Sequence, residues 1–189
     1  MSWLIVILGY LLGSIPTAYI AGRLLKGKDI RQLGDGNAGA RNAFHELGHK
    51  TGIAIFFIDG AKGATAILVA QAANMSQPII LLTGAAAVIG HNWPIFLGFR
   101  GGRGESATIG VLLALITQPM LIMAGPAILS LFTKKNVMLT SCALFIPLPF
   151  VCWWLGVPGV LIAYAIALPC LVGFTHYLRT RHAVKAGSS

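Results

Sequence analysis

Long apolar runs separated by short polar segments make up most of the sequence. The runs cover residues 3–21, 51–73, 78–97, 106–132, 137–155 and 157–178. Most are about 20 residues long, which is the length an α-helix needs to cross the bilayer core. Because they are unbroken rather than alternating, they favour membrane helices over the strands of a barrel. The pattern predicts an all-α, polytopic membrane protein with a single domain over residues 1–189.

The basic residues lie in the polar segments and predict the topology. Lys and Arg are concentrated in residues 23–50, 99–104, 134–135 and 179–185. The positive-inside rule puts these four segments on the cytoplasmic side of the membrane. It therefore puts the N-terminus outside and the C-terminus inside.

This topology requires the run 106–132 to enter and leave the membrane by the same face. Thr117-Gln118-Pro119, in the middle of the run, suits such a reversal. The sequence thus predicts about seven transmembrane or partly spanning helices. The alternative is one span over 106–132, which would put Lys134 and Lys135 outside.

Composition and charge exclude several classes of protein. Hydrophobic residues make up 56% of the chain and charged residues 10%, whereas an average soluble domain is about 25% charged. The formal net charge is +9. The basic residues are scattered among short loops, without the basic helix or aromatic ladder of a nucleic-acid binder. In a membrane protein this excess fixes topology and can hold anionic head groups or phosphates.

The cysteines give no sign of a metal centre or of thiol chemistry. Cys142, Cys152 and Cys170 all lie in apolar segments, at spacings that match neither a metal site nor a redox pair. We expect them to be small buried hydrophobic residues, and we expect the protein to need no metal or cofactor.

The first polar segment contains a loop, 29–42, that is rich in glycine and asparagine. Gly34, Gly36 and Gly39 can adopt left-handed backbone conformations, and such stretches can aim successive N–H groups at an anion. Asn37 and Asn42 lie in the same stretch. The loop is therefore either an anion-binding nest or an ordinary polar turn.

The segment 99–104 is the stronger candidate for a phosphate site. Its glycines would let a phosphate approach the backbone, and its guanidinium groups could grip the phosphate oxygens. The residues concerned are Gly101, Gly102, Gly104, Arg100 and Arg103. A helix beginning near Glu105 would add the positive end of its dipole. The alternative is a basic loop that serves only topology.

Four ionisable residues lie within or at the ends of the apolar runs. Asp59 and Lys62 stand at helical i, i+3 spacing. An ionisable group in a membrane span is costly, so the pair is a functional candidate; the alternative is a mutually neutralised structural pair. His91 is either a buried hydrogen-bonded histidine or a catalytic base. His176 is either an interfacial residue or a base.

Taken together, these motifs resemble the bacterial acyl-phosphate-dependent glycerol-3-phosphate acyltransferase family over nearly the whole chain. The matching residues are Gly13-Ser14-Ile15-Pro16, Asp29-Ile30-Arg31, Gly36-Asn37, Gly39-Ala40, Asn42, Leu47-Gly48, Asp59, Lys62-Gly63, Gly90-His91, Pro94, the segment 99–104, Ser141 and His176. The resemblance implies a monomeric, seven-helix enzyme of the bacterial inner membrane that is active at the cytoplasmic face. It implies transfer of a fatty acyl group from acyl phosphate to glycerol 3-phosphate, giving lysophosphatidic acid and phosphate.

Several positions differ from the family's pattern. Asp35 replaces a Ser, Arg41 a Thr, His45 an Arg, Arg103 a Lys and Arg179 an Asn. The exchange at position 103 keeps the positive charge. The carboxylate at position 35 would stand beside a phosphate and oppose its binding unless Arg41 or Arg179 offsets it.

The residues and the resemblance together give one candidate site. Its predicted catalytic residues are His176, Lys62 and Arg103. Its predicted substrate-binding residues are Arg31, Asp35, Gly36, Asn37, Gly39, Arg41, Asn42, His45, His91, Arg100, Gly101, Gly102, Gly104, Ser141 and Arg179. The expected partners are glycerol 3-phosphate, acyl phosphate and membrane lipids. The alternatives are a non-catalytic or substrate-switched homologue that binds lipid or phosphate, and a small transporter. The predicted outer turns, 74–77, 117–119 and 156–158, carry no ionisable side chain and argue against a transporter.

Overall fold

The computed structural model describes residues 2–134 and 136–186, and every regular element in those ranges is a helix. The predicted all-α class is confirmed. Lys135 and the side chains of Arg181 and Lys185, which entered the topology prediction, lie outside the described residues.

The described ranges form ten α-helices and two short 3-10 turns. The helices are α1 (Ser2–Ser14), α2 (Thr17–Lys26), α3 (Ala40–Glu46), α4 (His49–Ala72), α5 (Gln77–Asn92), α6 (Glu105–Leu115), α7 (Thr117–Lys134), α8 (Val137–Phe145), α9 (Leu148–Trp154) and α10 (Gly159–Ala186), with 3-10 turns at Ile30–Gln32 and Ile95–Leu97. Five described stretches are long and apolar enough to cross a membrane: Ser2–Lys26, His49–Ala72, Gln77–Leu97, Val137–Trp154 and Gly159–Arg179. The start of α6 at Glu105 is confirmed.

Three breaks divide the apolar runs. The first, at Ile15-Pro16, separates α1 from α2, because proline has no N–H with which to continue a helix. The second, at Ile116, separates α6 from α7 beside the predicted reversal. The third, at Ile146-Pro147, was not predicted, and it divides the run 137–155 into α8 and α9. The last helix, α10, also continues past its apolar run to Ala186.

Small residues let α4 and α6 approach each other closely. Gly63 of α4 lies against the Ala107 backbone, and Gly110 of α6 lies against the Gly60 backbone, so a Cβ atom at either glycine would clash. Close backbone approach at small residues is a main source of helix association in membranes. The small residues around Asp59 and Lys62 therefore receive a neighbouring helix.

Two apolar cores hold the helices together. The larger core includes residues of every helix from α4 to α10. Its side chains include Ile67, Val111 and Leu148, each completely buried. The smaller one joins α2, α3 and α4 to the 3-10 turns through Ala18, Ile30, Ala43, Ile55 and Leu97. This second core fixes the first loop against the end of α5. It is the part of the fold that positions the candidate site.

Many large apolar side chains face outward, as expected for a protein surrounded by lipid. Trp153 and Trp154, for example, are 75% and 76% exposed. Cys152 is buried, as expected, but the expectation was wrong for Cys170, which lies on the exposed face of α10.

Candidate active site

Asn42, near the start of α3, holds the first loop together. Its Nδ2 donates to the carbonyl oxygens of Ile30, Leu33 and Asn37 at 3.1, 2.9 and 3.0 Å. Its Oδ1 accepts the Asp35 N–H at 3.2 Å. The Asn42 side chain is only 3% exposed, so one buried amide satisfies four backbone groups. These contacts give Asn42 a scaffolding position, with its polar atoms directed into the loop.

The N–H groups of residues 35–37 are used inside the first loop. Those of Asp35, Gly36 and Asn37 donate to Asn42 Oδ1, the Leu33 carbonyl and Asp35 Oδ1, at 3.2, 3.0 and 3.1 Å. Gly34 and Gly36 have φ values of +55° and +70°, as left-handed residues of a tight turn do. For these residues the geometry is that of a polar turn, and a ligand would meet side chains instead of an amide nest.

The glycines of the second loop pack against the end of α5. The N–H groups of Gly101 and Gly102 donate to the carbonyls of Asn92 and His91, at 3.2 and 3.0 Å. Arg179 of α10 donates to the Gly101 carbonyl and, at 2.5 Å, to the Asn92 carbonyl. The loop is therefore clamped between α5 and α10.

Substitution of Gly101 by alanine is expected to disturb this clamp. The added Cβ would clash with the His91 carbonyl oxygen and the Pro94 ring, and overpacking of this kind costs about 1–3 kcal/mol. We expect Gly101→Ala to lower the melting temperature in detergent and to reduce acyl transfer. The matched control is Gly125→Ala, at a helical position with no atom near the added Cβ. Equal melting temperatures for the two variants would contradict this packing.

An ion pair joins the two loops. Arg103 Nη2 lies 3.1 Å from Asp35 Oδ2, across 68 positions in the sequence. The two residues line an open cavity of about 400 Å³, together with Gly34, Arg41, Asn42, His45, Glu46 and His176. The structure thus brings six of the predicted side chains, at positions 35, 41, 42, 45, 103 and 176, to one place.

The cavity wall carries charged side chains of both signs. Two guanidinium groups, Arg41 and Arg103, and two imidazoles face the carboxylates of Asp35 and Glu46. Arg103 Nε is buried without a hydrogen-bond partner among the described residues. Guanidinium donors of this kind bind phosphate oxygens in pairs, so the arrangement suits a phosphorylated ligand.

A buried polar cluster lies behind the second loop, at the break between α1 and α2. Lys62 Nζ is 2.9 Å from Asp59 Oδ1, and the side chains are 8% and 2% exposed. Lys62 also donates to the Ile15 carbonyl at 3.0 Å, which the helix break makes available. Asp59 Oδ1 accepts from Thr17 at 2.6 Å and lies 3.7 Å from His91 Nδ1. The pair is neutralised internally, as the structural alternative supposed.

The space beside this cluster is narrow. Its volume is about 10 Å³, and Gly101 and Gly102 form part of its wall. This is room for about one water molecule and too little for a phosphate. Lys62 and His91 line this narrow space and are not among the residues that line the large cavity.

Removal of the Lys62 ammonium is expected to destabilise the protein strongly. Lys62→Met leaves the buried Asp59 carboxylate without its counter-charge, which costs about 3–5 kcal/mol in comparable buried pairs. We expect a large fall in melting temperature, and partial recovery when Asp59→Asn is added. The control is Lys28→Met, at an exposed lysine. A Lys62→Met protein as stable as the control would show that the pair contributes little.

Three other predicted site residues, Ser141, Arg31 and Arg100, are not among the residues that line the large cavity. Ser141 of α8 hydrogen-bonds the Glu105 carboxylate at the first residue of α6. Arg31 binds Asp29 through Nε and Nη2, and its Nη1 donates to the Leu97 carbonyl at 2.9 Å. This hydrogen-bonded guanidinium lowers the pKa of Asp29 below its ordinary value. Arg100 is exposed and is not among the residues that line the cavity.

The sequence analysis missed Asn92 and Thr17. Asn92 is completely buried, donates from Nδ2 to Thr175 Oγ1 at 3.0 Å, and presents its carbonyl to Gly101 and Arg179. Its polar side chain within an apolar run was the signal that could have identified it. Thr17 could have been found from its position directly after the Pro16 break.

Comparison with known proteins connects this geometry to a family. The family model described as glycerol-3-phosphate acyltransferase matches residues 3–186. Glycerol-3-phosphate acyltransferase 4 of Dehalococcoides mccartyi is 49% identical over 181 residues, which cover 96% of this chain and 98% of that protein. The chain belongs to the glycerol-3-phosphate acyltransferase family.

Further similarities agree with this assignment. A glycerol-3-phosphate acyltransferase of Synechococcus sp. is 35% identical, over 93% of this chain and 88% of its own. The crystal structure of PlsY (YgiH), an integral membrane glycerol 3-phosphate acyltransferase, in its glycerol 3-phosphate form, matches with a TM-score of 0.85 and 31% identity, over 98% of this chain and 92% of that one. Its lysophosphatidic acid form matches with a TM-score of 0.80.

The family predicted from the motifs is therefore confirmed. This acyltransferase is a membrane enzyme of phospholipid synthesis. The similarities give no support to a non-catalytic homologue or to a transporter.

Proposed function

We propose that this acyltransferase moves a fatty acyl group from acyl phosphate to glycerol 3-phosphate in the cavity between the two loops. The products are lysophosphatidic acid and inorganic phosphate. The observation that supports this proposal most strongly is the Arg103–Asp35 contact, because it joins the glycine-rich loops around one cavity that holds two guanidinium groups.

In this proposal the phosphate of the acceptor binds to Arg103 and Arg41. Both side chains line the cavity, and a dianionic phosphate would be held by charge-assisted hydrogen bonds to them. Such contacts also fix the position of the acceptor hydroxyl relative to the acyl carbonyl. Holding both reactants in one cavity supplies much of the rate enhancement through proximity.

The reaction breaks the bond between the acyl carbon and the phosphate oxygen of the donor. The hydroxyl oxygen of glycerol 3-phosphate attacks the acyl carbon, and the phosphate leaves with the electron pair of the broken bond. The charge that develops is stabilised by the nearby guanidinium groups. The hydroxyl proton passes to a substrate phosphate or to His176, which lines the cavity.

The other predicted residues are proposed to shape the site. Lys62 and His91 support the glycine loop from behind and act as positioning residues, and Arg31 anchors the first loop to the Leu97 turn. The proposed wall and scaffold residues are Gly36, Asn37, Gly39, Asn42, Gly101, Gly102, Gly104, Ser141 and Arg179. Arg100, whose side chain is exposed, is proposed to attract anionic substrates or head groups to the membrane face.

We further propose that the chain forms one monomeric domain in the bacterial inner membrane. In this arrangement the N-terminus is outside, the C-terminus is inside, and the cavity opens to the cytoplasm. The support is the concentration of Lys and Arg in four segments. The helix break at Ile116 supports a reversal there, and with it about seven membrane-embedded helical segments.

The test of the proposed reaction is an assay of purified protein in lipid or detergent with both substrates. We expect phosphate release that requires glycerol 3-phosphate and equals the lysophosphatidic acid formed. Absence of turnover together with retained phosphate binding would contradict the catalytic proposal. Phosphate flux across proteoliposomes without acyl transfer would do the same and would indicate transport.

A further inference from the structure

The two Arg–Asp pairs of the loops differ in geometry. Arg31 places both donors of one guanidinium edge, Nε and Nη2, on the Asp29 carboxylate, at 3.0 and 2.7 Å. Arg103 uses only Nη2 on Asp35, at 3.1 Å, and its Nε has no hydrogen-bond partner among the described residues. The first pair uses two donors of its guanidinium group, whereas the second pair uses one.

The Asp35 carboxylate is held in place by its own loop. Its Oδ1 accepts the Asn37 N–H at 3.1 Å, and its backbone N–H donates to Asn42 Oδ1 at 3.2 Å. Because Oδ1 is engaged with Asn37, only Oδ2 is directed to Arg103. The Asp35 carboxylate is therefore held in position by its own loop, and it contacts Arg103 through one oxygen.

An incoming phosphate competes for the donor that Asp35 holds. Charged N–H donors form the strong hydrogen bonds to phosphate oxygens, and Arg103 Nη2 already donates to Asp35 Oδ2, whereas Arg103 Nε is buried. A phosphate that takes this Nη2 donor displaces Asp35 Oδ2. Arg41 lines the same cavity and forms no ion pair with a described residue, so it can receive part of the displaced charge.

We propose that Asp35 is a built-in competitor for the substrate phosphate and sets its affinity in this cavity. The inference rests on the proposed function, since it takes Arg103 as the phosphate-binding residue. Asp35 accepts a hydrogen bond from Arg103 Nη2, a donor that the phosphate also uses in this proposal. The competition weakens the binding of phosphorylated ligands, and it acts on affinity more than on the chemical step.

The test uses Asp35→Asn, which removes the charge but keeps an oxygen that can accept the Asn37 N–H. We expect the KM for glycerol 3-phosphate to fall about threefold to tenfold, a range typical of a lost like charge near an ionic contact. The effect on kcat should be smaller. Asp35→Ser, a second uncharged variant, should change KM in the same direction. An unchanged or raised KM in both variants would overturn the proposal.

The matched control is Glu46→Gln, which removes the other carboxylate of the cavity. Glu46 lines the cavity but makes no ion pair with a described residue, so we expect Glu46→Gln to lower KM by a smaller factor than Asp35→Asn does. If Glu46→Gln lowered KM as much as Asp35→Asn, the effect would be one of general cavity charge, and occupancy of Arg103 by Asp35 would be excluded.

A second readout separates this inference from the proposed reaction. Inorganic phosphate should raise the melting temperature of the purified protein, because a ligand that binds the folded state stabilises it. We expect Asp35→Asn to reach half of this effect at a phosphate concentration about threefold to tenfold lower. This titration needs no turnover, so it decides the inference even if acyl transfer is not found. The melting temperature without phosphate shows whether the variant is folded.

A double-mutant cycle tests whether Asp35 acts through Arg103. In an Arg103→Ala background, Asp35→Asn should no longer lower the half-saturating phosphate concentration. If the same fold-change persisted, Asp35 would not be competing for Arg103, and the proposal would be wrong.

Discussion

Replacement of Arg103 by alanine is expected to lower kcat/KM for glycerol 3-phosphate about 10- to 100-fold. Arg103 lies at the junction of the two loops, and its side chain lines the cavity. A hydrogen bond between charged groups is worth about 1.5–3 kcal/mol, and each 1.4 kcal/mol is a tenfold change. Because the guanidinium holds the acceptor phosphate, most of the loss should appear as a higher KM.

Steady-state kinetics with varied acceptor would measure this change. Arg100→Ala is the comparison, since it removes the other guanidinium of the same loop from an exposed position outside the cavity wall. We expect its effect to be much smaller, and Arg103→Lys should recover part of the activity by restoring the charge. An Arg103→Ala enzyme with the KM of the unchanged protein would remove Arg103 from the phosphate site.

Substitution of Asn42 by aspartate is expected to lower both stability and activity strongly. Asp keeps the oxygen that accepts the Asp35 N–H but removes the donors that Ile30, Leu33 and Asn37 share. A buried polar group that loses its partner costs about 1–3 kcal/mol. Here three carbonyl oxygens would also face a carboxylate. We expect the free energy of unfolding to fall by about 3 kcal/mol or more. The cavity should then collapse and transfer activity should be lost.

The matched control is the same exchange at Asn136. Among the described residues, that side chain only accepts hydrogen bonds, from the Met138 and Leu139 N–H groups at the start of α8. An aspartate fulfils this N-cap role equally well. Melting temperatures in detergent would compare the two variants, and similar values would contradict the scaffolding position of Asn42.

Much of the fold could be predicted because an unbroken apolar run of about 20 residues is enough to indicate a membrane helix. The start of α6 at Glu105 followed from the glycine loop before it, and the break near Thr117 followed from Pro119. The break at Ile146-Pro147 was missed, although a residue before proline is biased away from helix. The side chain of Cys170 faces outward because a helix in lipid can expose apolar residues that a soluble helix would bury.

The candidate site was predicted in part, and the difference lies in side-chain partners. Both loops were identified as cationic and glycine-rich, but no pattern in the sequence pairs Asp35 with Arg103 across 68 positions. The Asp35 carboxylate was expected to oppose phosphate binding unless Arg41 or Arg179 offset it; the structure pairs it with Arg103. Arg31 was expected at the phosphate, but it is tied to Asp29, only two positions away, and to the Leu97 carbonyl. Which of several nearby partners a side chain binds depends on the folded geometry, which the sequence pattern does not show.

The two loops are proposed to form one binding site for the acceptor phosphate. An experimental structure of this protein with glycerol 3-phosphate bound would test this proposal. We expect the phosphate within hydrogen-bond distance of Arg103 Nη2, with Asp35 displaced from Arg103. A phosphate bound at Arg31, at Arg100 or outside the cavity, with the Arg103–Asp35 pair intact, would contradict it.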